Sequence, residues 1–194
     1  MIKNKIKIGV LALQGDFKEH LDILGKINAD CHEVRLPEDL DNVNGLIIPG
    51  GESTTIGRLM LRTGLDKKII QKYKDGMMIY GTCAGAILLA KEIIGSSQPR
   101  LGLMDISIKR NAYGRQIESF EAEVNVNKIG KIKGIFIRAP IIENLGRNVE
   151  ALGKFNNDIV VAQQDKILIS TFHPELIGDT KIHEYFVDEI LNSK

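Results

Sequence analysis

The chain has only two cysteines, Cys31 and Cys83. They lie far apart and match no CxxC or metal-ligand spacing, which excludes a disulfide framework and a structural zinc site. A block of like charge is also missing. Twenty-six Lys and Arg stand against 25 Asp and Glu, a formal charge of +1, so neither nucleic acid nor an anionic membrane surface has an electrostatic footprint to meet. The longest apolar run, Met77 to Ala90, is broken by glycines and falls short of the roughly 18 to 20 residues that span a bilayer. Lys3, Lys5 and Lys7 precede an apolar stretch, but it runs into Gln14-Gly15-Asp16 without a small-residue cleavage site. Repeats, low-complexity tracts and linkers are absent as well. With 43% hydrophobic and 26% charged residues, the expectation is a cytoplasmic protein whose residues 1–194 form a single domain with one substantial core.

What is present is organised around Gly76 to Ile94, GMMIYGTCAGAILLAKEII. This reads as a buried strand, Met77 to Tyr80, that breaks at Gly81-Thr82-Cys83-Ala84-Gly85 and continues as an apolar helix. Glycines on both sides of Cys83 relieve the crowding of a sharp strand-to-helix turn, the spacing of a nucleophile elbow with sulfur in place of oxygen. The helix N-terminus favours a thiolate, and the amide of Ala84 is free to donate to a developing oxyanion. Taken alone, the pentapeptide is equally compatible with a small buried cysteine.

The flanking sequence supplies a fold. Lys5 to Leu13 is a β-rich run. FKEHLDILGKI then places Phe17, Leu21, Leu24 and Ile27 on one helical face. Cys31 to Leu36 and Gly45 to Pro49 read as further strands, the second apolar on both faces. A helix opens at Gly50-Gly51-Glu52-Ser53-Thr54-Thr55 and runs through Leu61, and another spans Leu65 to Lys74. Repeated β-α units of this kind imply an α/β fold with a doubly wound, mostly parallel sheet that binds ligands beyond the C-terminal strand ends. From Asp105 to Ser170 the runs DISIKR, IESFEAEVNV, GIFIRA, DIVVAQQ and KILIS predict antiparallel strands extending or flanking that sheet. A last helix covers Lys181 to Leu191.

A cysteine nucleophile needs a base, and the base an orienting partner. Of the four histidines, His20, His32 and His183 read as surface or boundary residues. His173 ends the strand KILISTF and precedes Pro174, whose missing N-H stops the ladder. Glu175 follows two residues later, within reach of the imidazole. Gly50-Gly51 lets the backbone approach a ligand and can aim the Gly51 amide at a second oxyanion position. A phosphate-binding loop is the rival reading there, but Gly57 is followed by Arg58-Leu59 rather than Lys-Ser/Thr, and Glu52 is acidic.

Gly-Thr-Cys-Ala-Gly at 81–85, Pro-Gly-Gly-Glu-Ser-Thr at 49–54 and His-Pro-Glu at 173–175 resemble the class I glutamine amidotransferases. Leu13-Gln14-Gly15, the run Arg110 to Gln116, Ser119-Phe120-Glu121-Ala122 and Phe136-Ile137-Arg138-Ala139-Pro140 are similar to the glutaminase subunits of pyridoxal 5'-phosphate synthase. The likeness covers nearly the whole chain, and the differences lie in surface segments such as Lys128 to Lys133. It implies a flavodoxin-like sheet, a triad of Cys83, His173 and Glu175, and an oxyanion hole from Gly51 and Ala84. It also implies that Gly51, Glu52, Ser53, Arg110, Ile137 and Arg138 bind L-glutamine. No metal and no cofactor are expected. The implied partner is a (β/α)8-barrel synthase subunit that combines the ammonia with a pentose phosphate and a triose phosphate. Two rivals remain at this level: the glutaminase of another amidotransferase, such as imidazole glycerol phosphate synthase, and a flavodoxin-like thiol sensor.

Overall fold

The computed structural model describes residues 6–110 and 119–193. Lys5, at the start of the expected first strand, Asn111 to Gln116, and Ile117-Glu118, at the start of the expected run IESFEAEVNV, lie outside the described residues. The first half alternates strand and helix: β1 (Lys7–Leu11), α1 (Phe17–Lys26), β2 (Asp30–Val34), β3 (Gly45–Ile48), α2 (Ser53–Thr63), α3 (Leu65–Lys74), β4 (Met78–Thr82) and α4 (Ala84–Leu89). The second half is mainly strand: β5 (Ala90–Ile93), β6 (Met104–Lys109), β7 (Phe120–Val126), β8 (Gly130–Phe136), β9 (Ile141–Leu145), β10 (Glu150–Phe155), β11 (Asp158–Gln164) and β12 (Ile167–Ser170), closed by α5 (Lys181–Asn192).

The centre is a parallel run in the order β2-β1-β3-β4-β12. Strands β3, β4 and β12 are buried at every position, as β-rich apolar runs are when helices cover both faces. Alternation divides their side chains between two cores. Val10, Ile47 and Tyr80 pack with Leu24 of α1 and Ile182, Phe186 and Ile190 of α5. Leu11, Leu46, Ile48 and Ile79 pack with Ile56 and Met60 of α2, Ile69 of α3 and Leu88 of α4. The doubly wound reading therefore holds. Chain direction across the sheet reverses between β1 and β3, and a crevice opens beyond the C-terminal ends of strands at such a switch point. The segments leaving β1, β3 and β4 there are those around Gln14, Gly51 and Cys83.

Antiparallel pairing continues the sheet from β12 through β11, β10, β7 and β8. Its hairpins turn at Lys128, Asn156 and Asp165, all at positive φ. Two expectations need correction. The run KILIS forms β12, which is antiparallel to β11 but parallel to β4, with Ile167 opposite Ile79 and Ser170 opposite Thr82. It is thus the fifth strand of the parallel core, because only there can all of its apolar residues be buried. The elbow helix also stops at Leu89 rather than running to Ile94. The Leu101 amide donates to the Leu88 carbonyl at 2.7 Å, and Ala90 to Ile93 pairs with β6 instead, burying Ala90 and Ile93 while Lys91 and Glu92 face solvent. Strands β9 and β10, whose mixed composition alternates poorly, were not among the expected runs. Among the described residues no helix is long and apolar enough to cross a membrane.

Candidate active site

Cys83 sits between β4 and α4 with φ 44° and ψ −96°, a backbone conformation that costs an L-residue on the order of 1–3 kcal/mol. Two hydrogen bonds hold it there. Its amide donates to the Ser170 carbonyl at 2.8 Å, and its carbonyl accepts from Ile87 at 3.1 Å. The flanking glycines are required by close approach. A Cβ on Gly81 would lie 2.7 Å from the Gly85 backbone, and one on Gly85 would be driven into the carbonyl oxygen of Ile48. Ala84 opens α4, so its amide belongs to the helical turn that has no intrahelical acceptor.

His173 is anchored by more than the proline after it. Its amide donates to the Ile135 carbonyl at 2.9 Å and its carbonyl accepts from the Ile135 amide at 3.1 Å, a bridge onto the segment of β8. Its Nδ1 lies 2.8 Å from Glu175 Oε1 and 3.4 Å from Asp16 Oδ2. The ring packs against Gly50, where a Cβ would collide with it. Burial opposes a charge on His173, but hydrogen bonds to Cys83 and Glu175, with the charges of both, outweigh it and raise its pKa to about 10. Burial likewise opposes the Glu175 charge, yet the charge of His20 and the hydrogen bond from His173 hold that carboxyl well below the usual range. Burial pushes Asp16 up, only partly offset by the charge of His173. Asp16, His173 and Glu175 offer ligand atoms within 4.8 Å of one another, but Nδ1 is occupied as a donor to Glu175, so the group is built as an ion pair rather than a metal cradle.

The raised His173 pKa has a consequence for stability. Protonated His173 stabilises the fold fully below the ordinary value of 6.5, and the contribution is lost as pH rises through about 10. The melting-temperature gap between the wild type and His173→Asn should therefore be widest near pH 6 and close by about pH 10.5. A gap that stays constant across thermal melts over this range would show that His173 is neutral in the folded chain.

A cavity of about 380 Å³ opens beside Cys83 and His173. Gly51, Glu52 and Ser53 line it from the start of α2, and Arg110, Ile137 and Arg138 from the second half of the chain. Of the residues singled out in sequence, Glu175 and Ala84 do not line it; Glu175 stands behind His173 and is buried. Glu52 caps α2, accepting from the Thr54 and Thr55 amides at 3.0 and 2.7 Å. Burial works against its charge, but these bonds and the Thr55 hydroxyl lower its pKa to about 2. Gly51 is at φ 148°, with the Gln14 amide group where a Cβ would go, and Gln14 Oε1 accepts from the Glu52 amide at 2.8 Å. Gln14 thus ties down the Gly-Gly-Glu loop.

Arg110 is engaged within the protein. Its guanidinium reaches Glu52 Oε1 at 3.3 Å, Thr54 Oγ1 at 3.2 Å, and Gln98 Oε1. Sequence reasoning passed over Gln98 as part of a loop, and a lone glutamine there carries no signal. Asp16 was recoverable, since it directly follows Gln14-Gly15. His32 is half-buried as expected, against the Asp39 carbonyl at 2.9 Å. His20 and His183 are corrections: both are fully buried, with His20 Nδ1 2.8 Å from His183 Nε2. Helical phase carried this signal. His20 is one turn before Leu24 and His183 lies within the Ile182-Phe186-Ile190 stripe, and α1 and α5 cover the same face of the sheet.

The arrangement can generate a thiolate beside an imidazolium, hold that imidazole by a buried carboxylate, and receive a small polar substrate next to both. Comparison with known proteins agrees in kind. The model of the SNO glutamine amidotransferase family matches residues 10–192. The chain is 50% identical over 190 residues to pyridoxal 5'-phosphate synthase subunit PdxT of Pelotomaculum thermopropionicum, covering 97% of both chains. It is 51% identical over 185 residues to the subunit of the same name from Desulforamulus reducens, covering 94% of this chain and 98% of that one. A crystal structure described as a glutamine amidotransferase superposes with a TM-score of 0.91 at 46% identity, over 94% of this chain and 98% of the other.

Proposed function

This chain belongs to the SNO glutamine amidotransferase family, and from that premise we propose that it is the glutaminase subunit of a pyridoxal 5'-phosphate synthase. It hydrolyses L-glutamine to L-glutamate and ammonia and pairs with a synthase subunit in a hetero-oligomer that uses the ammonia for vitamin B6 synthesis. The partner is a (β/α)8 barrel, the site of action is the cytoplasm, and residues 1–194 act as one amidotransferase domain. The observation that carries the reading is that Cys83 and His173 line one cavity able to hold one amino acid, with the His173 Nδ1 bonded at 2.8 Å to the buried Glu175.

In this mechanism the Cys83 thiolate, its proton resting on His173, adds to the side-chain amide carbon of glutamine. The oxyanion is held by the amides of Ala84 and Gly51. Collapse breaks the C–N bond, and the proton on His173 goes to the departing nitrogen, leaving ammonia, a γ-glutamyl thioester and a neutral imidazole. His173 then takes a proton from water as the hydroxide adds to the thioester. The second collapse releases glutamate and restores the thiolate–imidazolium pair. Glu175 orients the ring throughout. Glu52, Ser53, Arg110, Ile137 and Arg138 shape the glutamine pocket, with Arg110 supporting Glu52 and Thr54.

Ammonia that escapes to neutral water is protonated and diluted, so hydrolysis is useful only with the synthase docked. Glycine pairs let a peptide turn at low cost, and a Gly51 amide turned away from the substrate costs about 10² to 10³ in turnover. The chain alone should therefore be a poor glutaminase that the synthase subunit activates by about that factor. Gln14→Ala, which frees the Glu52 amide, should blunt the activation. Steady-state glutamine hydrolysis with and without the synthase subunit tests both: full activity of the lone chain rejects the switch, while normal stimulation of the variant rejects only Gln14's part. No hydrolysis under either condition would reject the function itself.

A further inference from the structure

Behind Glu175 the buried polar series continues. His20, from α1, has its Nε2 3.1 Å from Thr82 Oγ1 and 3.4 Å from Glu175 Oε1. Its Nδ1 lies 2.8 Å from His183 Nε2 on α5. Both histidines are fully buried, Thr82 with them, and Glu175 is 4% exposed. Tyr80 of β4 packs edge-on to both rings, and Asp16 adds a further nearby charge. Polar groups kept from water at this depth are costly unless paired. A carboxylate only accepts, so the His20 Nε2 facing it carries a proton. Glu175 Oε2 has no partner among the described residues; Oε1 therefore lies between two imidazoles, His173 and His20.

We propose that His20 is a positioning residue of the glutamine hydrolysis described above: it keeps the Glu175 carboxylate ionised and aimed at His173 while His173 is neutral. The inference rests on the triad reading. In that cycle His173 gives up its proton to ammonia before water supplies another. For that interval Glu175 has lost its nearest cation, and a buried carboxylate without one gains a proton or turns away. His20 supplies a second N-H on the far side, from a different element. His183 fixes the His20 ring without adding charge. Burial, with the charge of His20, lowers the His183 pKa to about 3, so it stays neutral at neutral pH.

The test compares wild type, His20→Leu, His20→Gln and His20→Asn, each assembled with the synthase subunit, for kcat and KM with glutamine. Outer partners that orient a metal-bound imidazole are typically worth roughly 10- to 100-fold in activity, and the same scale is expected for His20, which acts on His173 through Glu175. The Leu variant should lose kcat to that extent with KM nearly unchanged. Gln, whose side-chain N-H can occupy the place of Nε2, should recover most of the turnover. Asn is polar but one methylene too short, so it should stay folded and remain slow; it carries the test if Leu fails to fold. Equal turnover in the Gln and Asn variants, or a raised KM at unchanged kcat, overturns the proposal. An inactive wild-type complex rejects the triad reading instead, so the two failures are distinguishable.

Discussion

Cys83→Ser is expected to abolish glutamine hydrolysis by the assembled complex, lowering turnover by at least about 10⁴-fold, the scale seen when a covalent nucleophile is removed. A hydroxyl is far less acidic than a thiol, and in this geometry His173 would have to extract its proton during attack instead of already holding it. The substitution is close to isosteric, and the bonds that hold residue 83, from its amide to Ser170 and from Ile87 to its carbonyl, are backbone bonds. Circular dichroism and binding to the synthase subunit should therefore match the wild type. An electrophilic glutamine analogue provides the complementary measurement. It should modify Cys83 and spare Cys31, which is half-buried, far from the cavity in sequence and fold, and whose thiol is pushed up in pKa by burial and by Asp30. Mass spectrometry showing both thiols labelled equally, or turnover retained in the serine variant, would reject Cys83 as the nucleophile.

Gly85→Ala should be severely damaging for the addition of a single methyl group. The new Cβ would overlap the backbone carbonyl oxygen of Ile48, and the obstacle is the neighbouring strand of the parallel core rather than a side chain that can swing aside. Overpacking a core costs about 1–3 kcal/mol when side chains can adjust; against a strand backbone the upper end or more is expected. For a chain of this size about 3 kcal/mol corresponds to a fall in melting temperature on the order of 10 °C. Alternatively α4 shifts outward and carries Cys83 with it, in which case the protein melts near normally but hydrolysis is lost. Thermal melts together with glutaminase assays cover both routes. Gly25→Ala is the control, since nothing lies within 4 Å of the position its Cβ would take. A Gly85 variant as stable and active as this control would show that the elbow has slack.

The local sequence determined a good deal of this protein. Strand and helix periodicity located β1, β3, β4, α1 to α3 and α5, and Gly-Thr-Cys-Ala-Gly located the elbow. These signals are legible because they are short-range: a turn needs its glycines adjacent, and a helix face recurs every three or four residues. The end of the elbow helix was not legible, because the Leu101 amide and strand β6 that compete for residues 88–93 arrive from later in the chain. Nor was the place of KILIS, since an apolar run of that length does not say whether it pairs in parallel or antiparallel. Local pattern singled out Cys83 and His173 as candidates, and family likeness added the glutamine-binding set. Pairing of β12 with β4, and the bridge from His173 to Ile135, put the imidazole beside the thiol and within 2.8 Å of Glu175. The burial of His20 and His183 was decided in the same way. Their helices are far apart in sequence but share one face of the sheet, where two polar rings must find each other because no water can reach them.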